Sequence, residues 1–299
     1  MPFLVEIKKK ISSVQNTRKI TKAMELVAAS RMKQFQRRAV SVRSYAKRLL
    51  HVLRRDEVQM DELSYGVRRE AGAVLFVLLT SDKGLCGSLN QQLIRGVWSD
   101  ERWKKTPPTQ RLVVTIGRKG YEAMRHAGIT PIAKFDALPE RLTVLDALPI
   151  IDAILKLWEQ GDLQEVILIA PQYVNPFVFH VVPKTYLPLS AKMAQEAIRV
   201  GVSDEESIAG DAAPVEWFEP DKGRVAQALA QQLIETLFIR AFYELKATEY
   251  SSRMVAMKNA TEAADEMVNT LTLSYNKARQ SAITQQLAEL TGGALAVEA

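Results

Sequence analysis

Neither residues 3–65 nor residues 224–291 contain a glycine or a proline. Inside a helix a proline costs ~3 kcal/mol and a glycine ~1 kcal/mol relative to alanine, so nothing intrinsic to either stretch interrupts one. At a rise of ~1.5 Å per residue, each stretch reaches roughly 95–100 Å if helical throughout, far beyond the diameter of one globular domain. An isolated exposed helix buries almost nothing and is marginal in water. The two ends of the chain are therefore expected to pair as a shaft, with the residues between them forming a body.

The shaft carries an uneven charge. Residues 1–55 hold fifteen Lys and Arg against Glu6 and Glu25, a local net charge of +13 within a total of +6, which leaves −7 for the rest of the chain. A rod this basic meets nucleic acid, anionic lipid or an acidic protein surface, and charge alone does not choose among them. Read in strict 4-3 steps, its seam is Ile7, Ile11, Val14, Arg18, Thr21, Glu25, Ala28, Met32, Phe35, Ala39, Val42, Ala46, Leu49 and Leu53. The apolar pattern fails only at Arg18, Thr21 and Glu25, where apolar residues move to Ile20, Met24 and Val27 on a neighbouring face. A local stutter or a second contacting surface fits that break. The C-terminal stretch offers Met257, Ala260, Ala264, Met267, Leu271, Ser274, Ala278 and Ala282 at similar spacing. Periodicity leaves two arrangements open: the seams face each other, or two amphipathic helices lie separately on a core.

If both helices enter the body near residues 56 and 224, equal rise places Met24 opposite about residue 256 and residue 3 near 277. Everything after about 280 then has no partner helix.

Between the ends the period changes. Residues 73–81, 111–117, 165–171 and 177–184 read as buried strands, with helical stretches near 88–99, 118–128 and 146–160. Alternation of strand and helix predicts an α/β layer, a small doubly wound and largely parallel sheet, closed by a hairpin around Asn175-Pro176. Residues 188–220, with SDEES, Gly210 and Pro214, read as a polar connector. The expected organisation is a coiled-coil helix over 1–65, an α/β domain with its connector over 66–220, and a second coiled-coil helix over 221–299.

No catalytic pattern emerges. Gly84 and Gly87 follow the first strand, and Gly117 and Gly120 follow the second, yet neither pair makes a Walker A loop or a GxGxxG fingerprint, and ordinary βα turns account for both. His51, His126 and His180 lack ligand spacing, and GxSxG, HExxH and CxxC motifs do not occur. The lone Cys86 forms neither an internal disulfide nor a cysteine zinc cage. The longest apolar runs fall far short of the ~18 residues of a membrane span, and MPFLVEIKKK lacks the features of a secretory or transit signal, so a cytoplasmic protein with at most peripheral membrane contact is expected. A binding or mechanical protein fits best. The competing class is a basic coiled coil that binds nucleic acid, although residues 1–55 offer only Phe3, Phe35 and Tyr45 for stacking.

Four segments carry a family resemblance: NTRKITKAMELVAASR over residues 16–31, the loop GLCGSLN, RMVAMKNATEAADEM over 253–267, and YNKARQSAITQQLAELTGGALAV near the end. Together, and in this order, they resemble the γ subunit of F-type ATP synthases. The resemblance implies a central rotor shaft without a catalytic site, cofactor or metal. In that family an antiparallel coiled coil of the terminal helices turns inside a ring of α and β subunits. The α/β domain rests against the ε subunit and the membrane c-ring, at the cytoplasmic face of the bacterial plasma membrane. By position in the matched motifs, Met24 and Arg253 correspond to residues near the β-subunit contact, and Arg279, Gln280 and Thr284 to an upper contact with a β loop. The basic residues Arg31, Lys33, Arg37 and Arg38 are expected to meet acidic β-subunit loops. The family pattern carries an acidic residue where this chain has Gln286, and the paired cysteines of the light-regulated chloroplast type are missing.

Overall fold

The computed structural model describes residues 2–55, 58–139, 143–199, 219 and 221–298. It divides into two compact units, one built from residues 1–28 and 254–299 and the other from residues 29–253. Helix α1 (Pro2–Arg55, 54 residues) and helix α7 (Lys222–Glu298, 77 residues) contribute to both. Their lengths correspond to about 80 and 115 Å at the α-helical rise.

Helix α1 stops well before Tyr65, where the Gly- and Pro-free stretch ends, and the cause is tertiary. The Val58 N–H donates to the Leu53 carbonyl at 3.1 Å, and a 3₁₀ turn follows at Met60–Glu62. Met60 and Tyr65 are buried, and the Trp158 indole N–H donates to the Ser64 carbonyl at 3.1 Å. Core burial thus ends a helix that no local residue breaks.

The larger unit is organised on a five-stranded sheet. In chain order it contains β1 (Ala73–Leu79), α2 (Leu89–Ser99), α3 (Glu101–Lys105), β2 (Arg111–Ile116), α4 (Arg118–His126), β3 (Ala133–Phe135), α5 (Val144–Glu159), β4 (Leu163–Ile169), β5 (Pro171–Asn175), β6 (Val178–Val181), β7 (Lys184–Leu187) and α6 (Ala191–Arg199). The sheet order is β3-β2-β1-β4-β7, with β3, β2, β1 and β4 parallel and β7 antiparallel at the edge. Strand β1 is central: Phe76 stands level with Val113 on one side and Ile167 on the other, and Val74 to Leu79 are all buried. An uninterrupted apolar run is what a strand covered on both faces requires. Helix α5 starts with a capping box in which the Thr143 hydroxyl accepts from the Asp146 N–H and the Asp146 carboxylate accepts from the Thr143 N–H.

Two expectations need correction. The hairpin at Asn175-Pro176 forms, but β5 and β6 make a separate two-stranded sheet, and the main sheet is closed instead by β7. The segment 188–220 is not a connector throughout, because 191–199 is helical with Ala194 fully buried; its remainder lies mostly outside the described residues.

Within this unit the stretch of α7 from Leu233 to Ser251 is almost entirely buried. Leu233, Ile234, Phe238, Phe242 and Leu245 are buried, and Phe35 of α1 stacks on Tyr250 with ring centroids 5.6 Å apart and an interplanar angle of 6°. Tyr243 touches the same ring at 6.2 Å.

The smaller unit is a helix pair. The Thr21 and Thr261 hydroxyls are 2.8 Å apart, and Arg18 pairs with Asp265, so α7 numbers rise as α1 numbers fall: the pair is antiparallel. This register places Met24 level with about residue 258 and the start of α1 near residue 280, within a few residues of expectation. The α7 stripe is shifted relative to the one read from sequence. Thr261 is buried and Val268 and Tyr275 are half-buried, whereas Met267 is 54% exposed and Ser274 is exposed. The seam runs 257, 261, 264, 268, 271, 275, 278 and 282, a regular alternation of four and three. The fold is therefore an antiparallel pairing of N- and C-terminal helices with a largely parallel α/β sheet between them in sequence.

Candidate partner-contact surface

The surface is built around a polar layer in the helix pair. Arg18, Thr21 and Glu25 do not interrupt the α1 seam; they occupy it. Thr21 is only 9% exposed, and its hydroxyl lies within reach of both the Arg18 carbonyl, at 3.0 Å, and Thr261. The Thr261 hydroxyl in turn reaches the Met257 carbonyl at 2.8 Å. Both oxygens of Glu25 accept from Lys22 at 3.0 Å. Each buried polar group has a partner, so the layer carries no unpaired desolvated group. A stutter is excluded, because a stutter would have turned the apolar residues inward.

Those apolar residues stand outside instead. Ile20, Met24 and Val27 are 57%, 42% and 59% exposed and follow the spacing of one helix face. Of the two readings of the seam break, a second contacting surface remains. A strip of aliphatic side chains on a basic helix is a surface suited to a partner. Lys19 and Lys22 of α1 line the groove beside the polar layer, with Lys258, Glu262 and Asp265 of α7 on its other wall.

The remaining candidate residues fall into distinct settings. Lys33 and Arg37 are exposed on α1. Arg31 is half-buried with Nη1 3.5 Å from the Gln34 side-chain oxygen. Arg38 lies over the rings of Phe35 and Tyr243, at 5.6 and 5.9 Å from their centroids. The Arg38 guanidinium is thus already engaged by aromatic faces within the chain. Arg253 is also committed within the chain. It donates to the Gly84 carbonyl at 3.1 Å and to Glu249 at 2.9 Å, and its guanidinium covers the Tyr250 ring at 5.3 Å. Only 14% of its side chain is exposed. Arg253 thus holds the loop before α2, where Leu85 adopts a positive φ of 61° and is exposed. Arg279, Gln280 and Thr284 are exposed on α7, with the Thr284 hydroxyl donating to the Gln280 carbonyl at 3.0 Å. The level of Met24 is roughly 30 Å along α7 from Arg279, so these two groups form separate surfaces.

Sequence reasoning missed Thr261 and Asp265. The available signal was complementarity: Arg18, Thr21, Glu25 on one helix read against Asp265, Thr261, Lys258 on the other, at matching spacing and in antiparallel order.

The glycine loops have structural roles. In the loop before α2, the Asn90 side chain accepts from the Ser81 N–H at 3.1 Å and donates to the Ser81 hydroxyl at 2.8 Å and to Cys86 Sγ at 3.3 Å. Gly117 has a φ of 94°, and a Cβ there would come within 2.1 Å of the Thr80 carbonyl oxygen. The Gly120 N–H donates to the Thr80 hydroxyl at 2.7 Å. Turn geometry and close packing account for these residues, as the ordinary βα-turn reading expects. Among the described residues no group of three or more His, Cys, Asp or Glu is placed to hold a metal ion, and no helix is long and apolar enough to cross a membrane.

Comparison with known proteins agrees across nearly the whole chain. The ATP synthase family model matches residues 4–297. The ATP synthase gamma chain of Heliobacterium modesticaldum is 33% identical over 99% of this chain and all of that protein, and that of Pelotomaculum thermopropionicum is 34% identical over the full length of both. The gamma chain of Coxiella burnetii is 36% identical over 98% of each. Among solved structures, a chain of the Euglena gracilis mitochondrial ATP synthase OSCP/F1/c-ring assembly superposes with a TM-score of 0.66 over 99% of this chain and 95% of that one, at 16% identity. A chain of the Tetrahymena thermophila mitochondrial central stalk and c-ring gives a TM-score of 0.57 over 81% of this chain and 99% of its own, at 24% identity.

Proposed function

The chain belongs to the ATP synthase gamma-chain family, and from that premise we propose that it is the central rotor shaft of an F-type ATP synthase. It is non-catalytic itself, and by turning it couples transmembrane ion flow to ATP synthesis and hydrolysis in the surrounding subunits. The observation that carries this reading is the antiparallel helix pair, closed by a polar layer and bearing Ile20, Met24 and Val27 on its outside. A shaft must keep its two helices in register while offering an outer face to whatever it turns against. Self-contained polar pairing inside and unpartnered aliphatic side chains outside meet both needs. The nucleic-acid alternative receives no support from the relatives.

In this reading the ring consists of α and β subunits. Helix α1, through Met24 and the cations Arg31, Lys33, Arg37 and Arg38, meets the β subunits, and Arg279, Gln280 and Thr284 meet a β loop higher on the shaft. Arg253 acts from behind by fixing the loop that carries Leu85. The functional segments are 1–65 and 221–299 for the shaft, and 66–220 for the domain that meets the ε subunit and the membrane c-ring. The complex then places this chain peripherally at the cytoplasmic face of a bacterial plasma membrane. Co-expression with cognate α and β subunits tests the assignment. The expected product is a complex with three α and three β chains per copy, whose ATP hydrolysis drives rotation of a probe fixed to this chain. A chain that purifies alone from such an expression, or a ring whose hydrolysis leaves the probe still, would overturn it.

A further inference from the structure

Three charged side chains are largely buried near the end of α7's stretch in the larger unit. Glu249 is 4% exposed and Lys246 is 7% exposed. One Glu249 carboxylate oxygen accepts from the Lys246 ammonium at 3.1 Å, and the other accepts from Arg253 Nη2 at 2.9 Å. The same Arg253 nitrogen also donates to the Gly84 carbonyl at 3.1 Å. A buried ion pair is often no more stabilising than well-packed apolar residues of the same volume, but its geometry is specific. Here the carboxylate fixes the direction of the Arg253 fork, and the fork meets a loop.

That loop joins β1 to α2 and carries Leu85. Its φ of 61° lies in the left-handed region that suits glycine, and its side chain is 63% exposed. Glycine would hold this turn without strain, and a leucine so exposed buries little, so neither the backbone nor the core calls for leucine here. A strained residue persists where its surroundings over-determine it, and such residues cluster at functional surfaces. The surroundings are present on both sides: Arg253 holds the Gly84 carbonyl, and the Asn90 side chain holds Ser81 and Cys86. Arg253 is also the last residue of the larger unit, so Leu85 is displayed at the level where α7 leaves it.

We propose that Glu249 is a positioning residue: through Arg253 it holds the loop so that Leu85 projects outward, and Leu85 is an apolar contact of the shaft with a subunit of the surrounding ring. The ring subunit as occupant rests on the rotor reading, whereas the positioning of the loop does not. A leucine on a braced backbone bears lateral load by shape. Its contact forms and breaks without stripping water from a charge, which suits a surface that passes from one ring subunit to the next.

Cys86, the single cysteine of the chain, is buried in the same loop and reports its opening. In the full-length chain with no ring present, its rate of modification by excess thiol reagent should rise severalfold in Glu249→Gln, which weakens the hold on Arg253. It should not rise in Ser251→Ala, which removes the hydroxyl that donates to the Pro176 carbonyl of the β5–β6 hairpin and leaves the loop untouched. An unchanged rate in Glu249→Gln, or an equal rise in both variants, would overturn the positioning role. Should Glu249→Gln fail to fold, Arg253→Lys decides: it keeps a cation beside Glu249 but lacks the fork that also reaches Gly84, so the same rise is expected and an unchanged rate refutes the role. Because this measurement uses the chain alone, it stands whether or not the chain assembles with a ring. In reconstituted complexes, Leu85→Ala should lower ATP-driven ion pumping severalfold with hydrolysis retained, and adding Glu249→Gln should lower it no further. Normal pumping in Leu85→Ala, or losses that multiply in the double variant, would overturn the contact.

Discussion

Helices α1 and α7 meet in both units of the molecule, and they do so through opposite chemistry. In the larger unit the contact is aromatic and dry: Phe35 is fully buried against Tyr250 and Tyr243, and α7 is almost entirely buried from Leu233 to Ser251. In the smaller unit the contact is small and polar, with Thr21 on Thr261 and Arg18 on Asp265, and most surrounding side chains face solvent. The same 4-3 spacing serves an anchor in one place and a slender, exposed pair in the other. Stability is concentrated in the aromatic contact, whereas the polar pair contributes register.

That contrast predicts a graded series. The largest loss should follow Phe35→Ala, which removes a fully buried ring and leaves a cavity worth about 3–5 kcal/mol, measurable as a lowered midpoint in denaturant unfolding. Next comes Arg279→Ala. On the rotor reading it should lower ATP-driven ion pumping in reconstituted complexes about tenfold, the loss of one charge-assisted contact. Gln286→Glu should have less effect, and so should removal of residues 290–299, whose described side chain Leu290 stands exposed. Replacing Arg31, Lys33, Arg37 and Arg38 together by Ala should reduce coupling only severalfold: the exposed Lys33 and Arg37 contribute ~0–1 kcal/mol per ion pair, and the loss of Arg38 from the Phe35 and Tyr243 rings shows mainly as lowered stability. Asp265→Asn removes a half-exposed pair and should cost less than ~1 kcal/mol, with the difference shrinking at high salt. Smallest of all is the double change Thr21→Val with Thr261→Val, which removes donor and acceptor together and should leave stability within about 1 kcal/mol of the parent. If the double change costs as much as Phe35→Ala, the distinction between anchor and register fails.

The buried charges of the larger unit sharpen the same contrast through pH. Burial raises the Glu244 carboxyl above the usual glutamate range, although Arg240, Lys184 and Arg43 oppose it. A carboxyl with a raised folded pKa favours the folded state most below its unfolded value of about 4.5, and that contribution is lost as pH rises through the folded pKa. Arg240→Met removes the strongest opposing cation, so stability should fall more steeply with rising pH above 4.5 than in the parent. Denaturation midpoints from pH 4 to 8 check the slope. The polar pair of the smaller unit carries no such dependence in its two threonines.

Much of this was legible in the sequence, and the exceptions are instructive. The run Val74 to Leu79 could only be a strand buried on both faces, and the register of the long helices followed from two entry points and a constant rise. The polar layer was misread because pattern reading treats Arg18, Thr21 and Glu25 as defects. Their partners, Thr261 and Asp265, lie more than two hundred residues away, and one hydroxyl satisfied by another is invisible to hydropathy. The same bias favoured Ala260 over Thr261, and with Met267 read for Val268 and Ser274 for Tyr275 it left three of the eight positions of the α7 stripe off by one residue. Helix α6 was missed because it is short and Ala194 is the one buried side chain among those described in it, and the end of α1 because Met60 and Tyr65 stop it by entering a core that the local sequence does not display. Arg253 was legible only as a residue near the β-subunit contact, and its hydrogen bond to the Gly84 carbonyl, 169 residues away, is not displayed by the local sequence.

The claim that the terminal helices form one antiparallel shaft, locked in register by the polar layer and turning as a unit, is tested most directly by a crosslink at its centre. With Cys86→Ser in place to remove the native thiol, Thr21→Cys and Thr261→Cys put two sulfurs where hydroxyls now lie 2.8 Å apart. Mild oxidation should close the disulfide in nearly every molecule, and the oxidised chain, assembled with its ring, should hydrolyse ATP and rotate as fast as the reduced one, because both helices move together. A pair that stays reduced while Thr21→Cys with Ala282→Cys closes readily would contradict the register, and a disulfide that forms but halts rotation would contradict the rigid shaft.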